Sequence, residues 1–118
     1  MSLTIYHNPR CSKSRKTLEI IQDAGVEPTI LLYLEDTPSA SEIAVVADKL
    51  GLTVADLLRR GESEFKEAID LPDLTDDASL AEWVAAHPIA LERPIVVDDD
   101  SGEAVIGRPP ENVLGLLS

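Results

Sequence analysis

Cys11 is the only cysteine among 118 residues, and it lies in YHNPRCSKSRKT, residues 6–17, where every charged side chain is basic. The chain carries a formal net charge of -12, yet no Asp or Glu precedes Glu19. His7, Arg10, Lys13, Arg15 and Lys16 around one thiol make chemical sense if the sulfur works as a thiolate, which is the nucleophilic form and is favoured by nearby positive charge. A single cysteine forms neither an intramolecular disulfide nor a cysteine-cluster metal site. It is therefore either a buried apolar filler or a working thiol in a reducing compartment. A polar, basic junction is a poor place for a filler.

Two common thiol chemistries do not fit the spacing. A cysteine phosphatase loop needs an arginine after five intervening residues, and Thr17 stands there. A dithiol oxidoreductase needs Cys-x-x-Cys, and Ser14 stands at the second position. Any resolving thiol must come from another molecule. Three further arginines extend the site. Arg59 is expected to end a helical stretch, while Arg93 and Arg108 precede prolines in ERPIVV and GRPPEN, which biases their backbones towards extended conformations at element boundaries. Guanidinium forks match tetrahedral oxyanions, and three of them balance a dianion. The competing reading is ordinary surface pairing with the many acids of the chain.

The elements that must hold these residues follow from periodicity. Leu3 and Ile5 alternate as a strand ending at HNP, and Leu18, Ile20, Ile21 and Ala24 recur at helical spacing up to Gly25. Cys11 then falls at the start of the first helix, where unpaired N–H groups and the helix dipole place roughly half a positive charge. With the basic neighbours, this is expected to lower the thiol pKa from about 8.5 to roughly 6 or 7. The apolar run TILLYL, residues 29–34, predicts a strand covered on both faces and completes a βαβ unit. Ser39 or Ser41 caps a helix that stops at Gly51, Thr53 caps a short helix reaching Gly61, and residues 62–69 form a further turn or two. TDDASLAEWVAAHP predicts a helix with Leu80, Trp83, Val84 and His87 along one side, stopped by Pro88. PIVVDDDSGEAVIG reads as a β-hairpin, and PPENVLGLLS as a short proline-initiated helix. The fold class is α/β: a small mixed sheet covered by helices on a thioredoxin-like plan, with a helical insertion between the βαβ unit and the C-terminal hairpin and helix.

Composition bounds the rest. With 44% hydrophobic and 27% charged residues, the chain suits one compact domain spanning residues 1–118. The 22 acidic against 10 basic side chains argue against a general nucleic-acid surface. No run approaches eighteen apolar residues and no secretory signal pattern opens the chain, so a cytoplasmic location without membrane association is expected.

Taken together, YHNPRCSKSRKT, LYLEDTPS, LLRRGE, HPIALERPIVV and IGRPPENV resemble the glutaredoxin-linked arsenate reductase family along essentially the whole chain, and the chain is most similar to its short members. Ser12 and Lys13 stand where better-characterised members have Gly and Thr. The resemblance implies that Cys11 attacks arsenate, with Arg59, Arg93 and Arg108 as oxyanion ligands. It implies that His7 helps keep Cys11 ionised, that Ser14 and Arg15 hold the loop, and that Asn8 and Pro94 belong to the substrate-binding positions. The peptide between Arg93 and Pro94 is expected to be cis. Glutathione as co-substrate and glutaredoxin as partner supply the electrons, with no bound cofactor and no metal. Two alternatives remain at this point: a redox-sensing transcriptional regulator of the same fold that binds RNA polymerase, against which Ser14 argues, and a thiol oxidoreductase acting on another substrate.

Overall fold

The computed structural model describes residues 2–92 and 94–117. In chain order the elements are β1 (Leu3–Tyr6), α1 (Ser12–Asp23), β2 (Thr29–Leu31), α2 (Ala40–Leu50), α3 (Ser63–Lys66), α4 (Asp77–Ala86), β3 (Ile95–Asp98), β4 (Ala104–Ile106) and α5 (Leu114–Leu117). Three 3₁₀ turns, at Val54–Leu57, Pro88–Ala90 and Pro110–Val113, complete them. The order is the thioredoxin-like one that the sequence pattern predicts. The chain divides into two compact units, Met1–Asp36 with Arg93–Ser118, and Thr37–Glu92.

The first unit holds the sheet, in the strand order β2-β1-β3-β4. β1 runs parallel to β2 and antiparallel to β3, and β3 is antiparallel to β4. The register sets Ile5 opposite both Ile30 and Val96, and Val96 opposite Val105. Alternation along β1 sends Leu3 and Ile5 to one face, where they are buried with Ile21 of α1, Val96, Val113 and Leu116. Each such side chain contributes about 1.5–3 kcal/mol through burial. α1 and the Pro110–Leu117 segment pack on each other over this core. In the hairpin turn the Asp98 carboxylate accepts the N–H groups of Asp100 (2.9 Å) and Ser101 (3.3 Å), and Gly102 takes a positive φ of 79°. The Asp100 bond above all holds the Asp98 pKa below the usual carboxylate value.

β2 departs from expectation. It is three residues long rather than six, lies at the sheet edge, and leaves Thr29 and Ile30 exposed. Beyond Leu31 the chain turns, with Glu35 and Asp36 both donating to the Leu32 carbonyl (2.9 and 2.8 Å). Of the remaining apolar run, only Tyr33 is fully buried. The strand buried along its whole length is β3, whose IVVD lies between two partners.

In the second unit α2 packs on α4 and on the Val54–Leu57 turn around Ile43, Val46, Ala47, Leu57, Leu80 and Val84. Ser39 is the cap of α2, accepting from the Glu42 N–H at 3.2 Å, and Gly51 ends the helix in the left-handed region. Thr53 caps the next segment as expected, but that segment is a 3₁₀ turn ending at Leu57 and not a helix reaching Gly61. From Leu58 the backbone is extended. It is held by a bridge to Leu91 and by bonds from Arg59 N–H to Ala90 (2.7 Å) and from Glu92 N–H to Leu57 (2.6 Å). These tertiary pairings outweigh the modest helix preference of LLRR.

One close approach ties the hairpin exit to α1. A Cβ at Gly107 would stand 2.6 Å from Thr17 Oγ1 and 2.8 Å from Pro94 Cγ. Thr17 is fully buried and donates to the Lys13 carbonyl at 2.8 Å, so it yields only by losing that bond, and the Pro94 ring is itself buried. Gly107→Ala is therefore expected to destabilise the protein by about 1–3 kcal/mol, read from the urea midpoint. Adding Thr17→Ala should return part of that loss. An unchanged midpoint in Gly107→Ala refutes the packing argument.

Candidate active site

The loop between β1 and α1 is built by β-sheet pairing on one side and a helix start on the other. The His7 N–H donates to the Leu31 carbonyl at 2.8 Å, which extends the β1 pairing by one residue. The chain then turns: the Cys11 N–H donates to the Asn8 carbonyl (3.0 Å), and the Arg10 N–H to Asn8 Oδ1 (3.0 Å). Cys11 is the N-cap residue of α1, extended at φ −95° and ψ 121°, and its carbonyl accepts the Arg15 N–H at 3.0 Å. It is half-buried. The first turn of α1 contains no acidic residue, so nothing there offsets the positive end of this twelve-residue helix.

Beneath the loop lies a buried polar network. Ser14 Oγ accepts the Asn8 N–H at 3.1 Å and lies 2.7 Å from His7 Nδ1. His7, Asn8 and Ser14 are all buried, and Ser14 completely so. Arg15 closes the loop from outside, its Nη1 donating to the Pro9 carbonyl at 2.9 Å. The structure thus brings Cys11, His7, Asn8, Ser14 and Arg15 into one hydrogen-bonded turn.

His7 is buried beneath the loop against Ser14. Burial, and secondarily the Arg15 charge, push its pKa down from the ordinary histidine value. The shift favours the neutral imidazole over the imidazolium. His7 supports the loop through its bond to Ser14.

The other predicted residues are placed less uniformly. Pro94 accepts the Gly107 N–H at 2.8 Å, so Pro94 and the stretch leading into Arg108 are fastened to each other and, through Thr17, to α1. Arg108 is half-buried, its carbonyl accepts Asn112 Nδ2 at 3.2 Å, and its peptide to Pro109 is cis. The cis peptide expected at Arg93–Pro94, and Arg93 itself, lie outside the described residues. Arg59 belongs to the second unit, where it sits on the extended segment after the 3₁₀ turn rather than at a helix end. Its guanidinium lies 3.2 Å from Glu62 and 3.5 Å from Glu92, so this arginine shares its charge with two carboxylates. The competing reading of acid pairing thus holds for Arg59, although the sequence named neither partner. The i, i+3 spacing of Arg59 and Glu62 was the available signal, whereas the Glu92 contact depends on the Leu58–Leu91 bridge.

Among the described residues no group of three or more His, Cys, Asp or Glu has an arrangement that could hold a metal ion. Among them, too, no helix is long and apolar enough to cross a membrane.

The chain is similar to known proteins over nearly its whole length. It is 42% identical to an arsenate reductase of Haemophilus influenzae, covering 99% of this chain and 100% of that protein. It is 40% identical to an arsenate reductase of Escherichia coli, covering 98% of this chain and 81% of the longer relative. A solved structure described as arsenate reductase from Vibrio cholerae superposes with a TM-score of 0.89 at 44% identity, covering 98% of this chain and 97% of that one. Residues 6–116 match the ArsC family, and with such relatives at both the sequence and the structural level the chain belongs to that family.

Proposed function

We propose that this protein reduces arsenate to arsenite, with Cys11 as nucleophile and with glutathione and glutaredoxin supplying the electrons. The observation that carries the reading is the placement of Cys11 at the acid-free N-terminus of α1, inside the His7–Asn8–Ser14 network, in a chain of the ArsC family. In the first step the Cys11 sulfur bonds to arsenic as one As–O bond breaks and its oxygen leaves as water. Glutathione sulfur then joins the Cys11 sulfur while the S–As bond gives its electron pair to arsenic, which passes from the +5 to the +3 state and departs as arsenite. A glutaredoxin thiolate finally attacks the glutathione sulfur, and Cys11 leaves as thiolate.

Arg93 and Arg108 carry the oxyanion charge in this reading, together with Arg59. Because Arg59 is already held by Glu62 and Glu92, its share requires it to trade one carboxylate for the substrate. His7, Asn8, Ser14 and Arg15 keep the Cys11 loop in shape, and Pro94 packs against the stretch leading into Arg108. The reaction needs a reducing compartment, which fits a cytoplasmic site of action. The test is arsenite formation from arsenate by the purified chain with glutathione and glutaredoxin both present. Arsenite is expected, and its complete absence overturns the assignment.

A further inference from the structure

We infer that a cleft beside the Cys11 loop binds the γ-glutamyl end of glutathione, with Arg10 on its α-carboxylate and Glu35 on its ammonium group. This rests on the reading of glutathione as electron donor and adds where, and by which groups, the tripeptide is held.

The cleft measures about 260 Å³ and is lined by His7, Pro9, Arg10, Leu32, Leu34 and Glu35, all within the first unit. Its charges are one cation and one carboxylate. Among the described residues neither the Arg10 nor the Glu35 side chain makes an ion pair with another group. Both remain available to a ligand. A carboxylate facing the cleft repels a bare oxyanion, so this is not a second arsenate subsite. A ligand bearing an ammonium and a carboxylate on one carbon offers a partner to each of the two charges, and the γ-glutamyl end of glutathione is such a group.

Size points the same way. Clefts that enclose a whole drug-sized ligand run from about 300 to 1,000 Å³, so this one takes one arm of a tripeptide and leaves the remainder outside. The apolar parts of Pro9, Leu32 and Leu34, the last 39% exposed, suit the two methylenes of the γ-glutamyl chain. Arg10 adjoins Cys11, one Cα step of about 3.8 Å away. The thiol-bearing residue of glutathione follows the γ-glutamyl group directly, so an arm seated on Arg10 leaves its sulfur beside the Cys11 loop.

The experiment is calorimetric titration of the intact chain with S-methylglutathione, which cannot undergo thiol exchange, and with its N-acetyl derivative, which lacks the ammonium charge. In the parent protein acetylation should weaken binding about three- to fivefold, as befits a partly solvated ion pair. Glu35→Gln should lose a similar factor for S-methylglutathione and show no further loss on acetylation. Amide shifts induced by S-methylglutathione should centre on His7–Arg10 and Leu32–Glu35. An equal acetylation penalty in both proteins, shifts centred elsewhere, or no binding at millimolar ligand each overturns the proposal. No arsenate is present, so failure here is distinct from failure of the arsenate assay.

Discussion

Cys11→Ser is expected to abolish arsenite formation, by roughly 10⁴-fold or more, while changing stability by less than about 1 kcal/mol. The loss is large because the hydroxyl stays protonated near neutral pH where a thiol at a helix start ionises, and because an oxygen at this position can form no disulfide with glutathione. The two effects strike different steps, so no increase in glutathione restores the rate. The fold survives because Cys11 is half-buried at the cap of α1, and serine is among the best residues at that position. Arsenite release under steady-state turnover, with far-UV circular dichroism as the folding control, checks both halves. Turnover by Cys11→Ser at the parent rate removes Cys11 from the mechanism.

With thioredoxin as the only reductant, the parent protein should form no arsenite, and it should turn over when glutathione and glutaredoxin are supplied together. This follows from a count of sulfurs. After Cys11 has bonded to arsenic no second cysteine exists in the chain to displace it, and a disulfide between two copies consumes both nucleophiles. The second sulfur must be a small external thiol able to reach a half-buried cap position. The mixed disulfide it leaves is then opened by a protein thiol that attacks the outer sulfur, with Cys11 as the leaving group. Omitting either component should reduce arsenite release to the uncatalysed background. Equal rates with thioredoxin alone remove the monothiol scheme.

Much of the fold was legible because its signals are local. Ser39 and Gly51 bound α2 through a cap bond and a left-handed glycine that need only neighbouring residues, and the Asp- and Gly-rich stretch between Val97 and Ala104 makes its own turn. The Cys11 loop is held by equally local bonds, those of Asn8, Arg10, Ser14 and Arg15 spanning at most seven positions, although the roles of Ser14 and Arg15 came from the family resemblance. The apolar run at residues 29–34 misleads because apolarity records a preference for burial and carries no information about which neighbours exist, and only the strand order places β2 at an edge. LLRR misleads because its extended form is held by Ala90 and Glu92, some thirty residues on. Charge at a site is likewise tertiary. By itself the sequence determined that one thiol stands on a helix start ringed by basic residues, with no second cysteine to form a disulfide with it. Only the folded chain decided that His7 is a buried partner of Ser14 with its pKa pushed down, that Arg59 rests on Glu62 and Glu92, and that Arg10 and Glu35 face one cleft. Burial and long-range proximity set protonation and pairing, and neither is a property of adjacent residues.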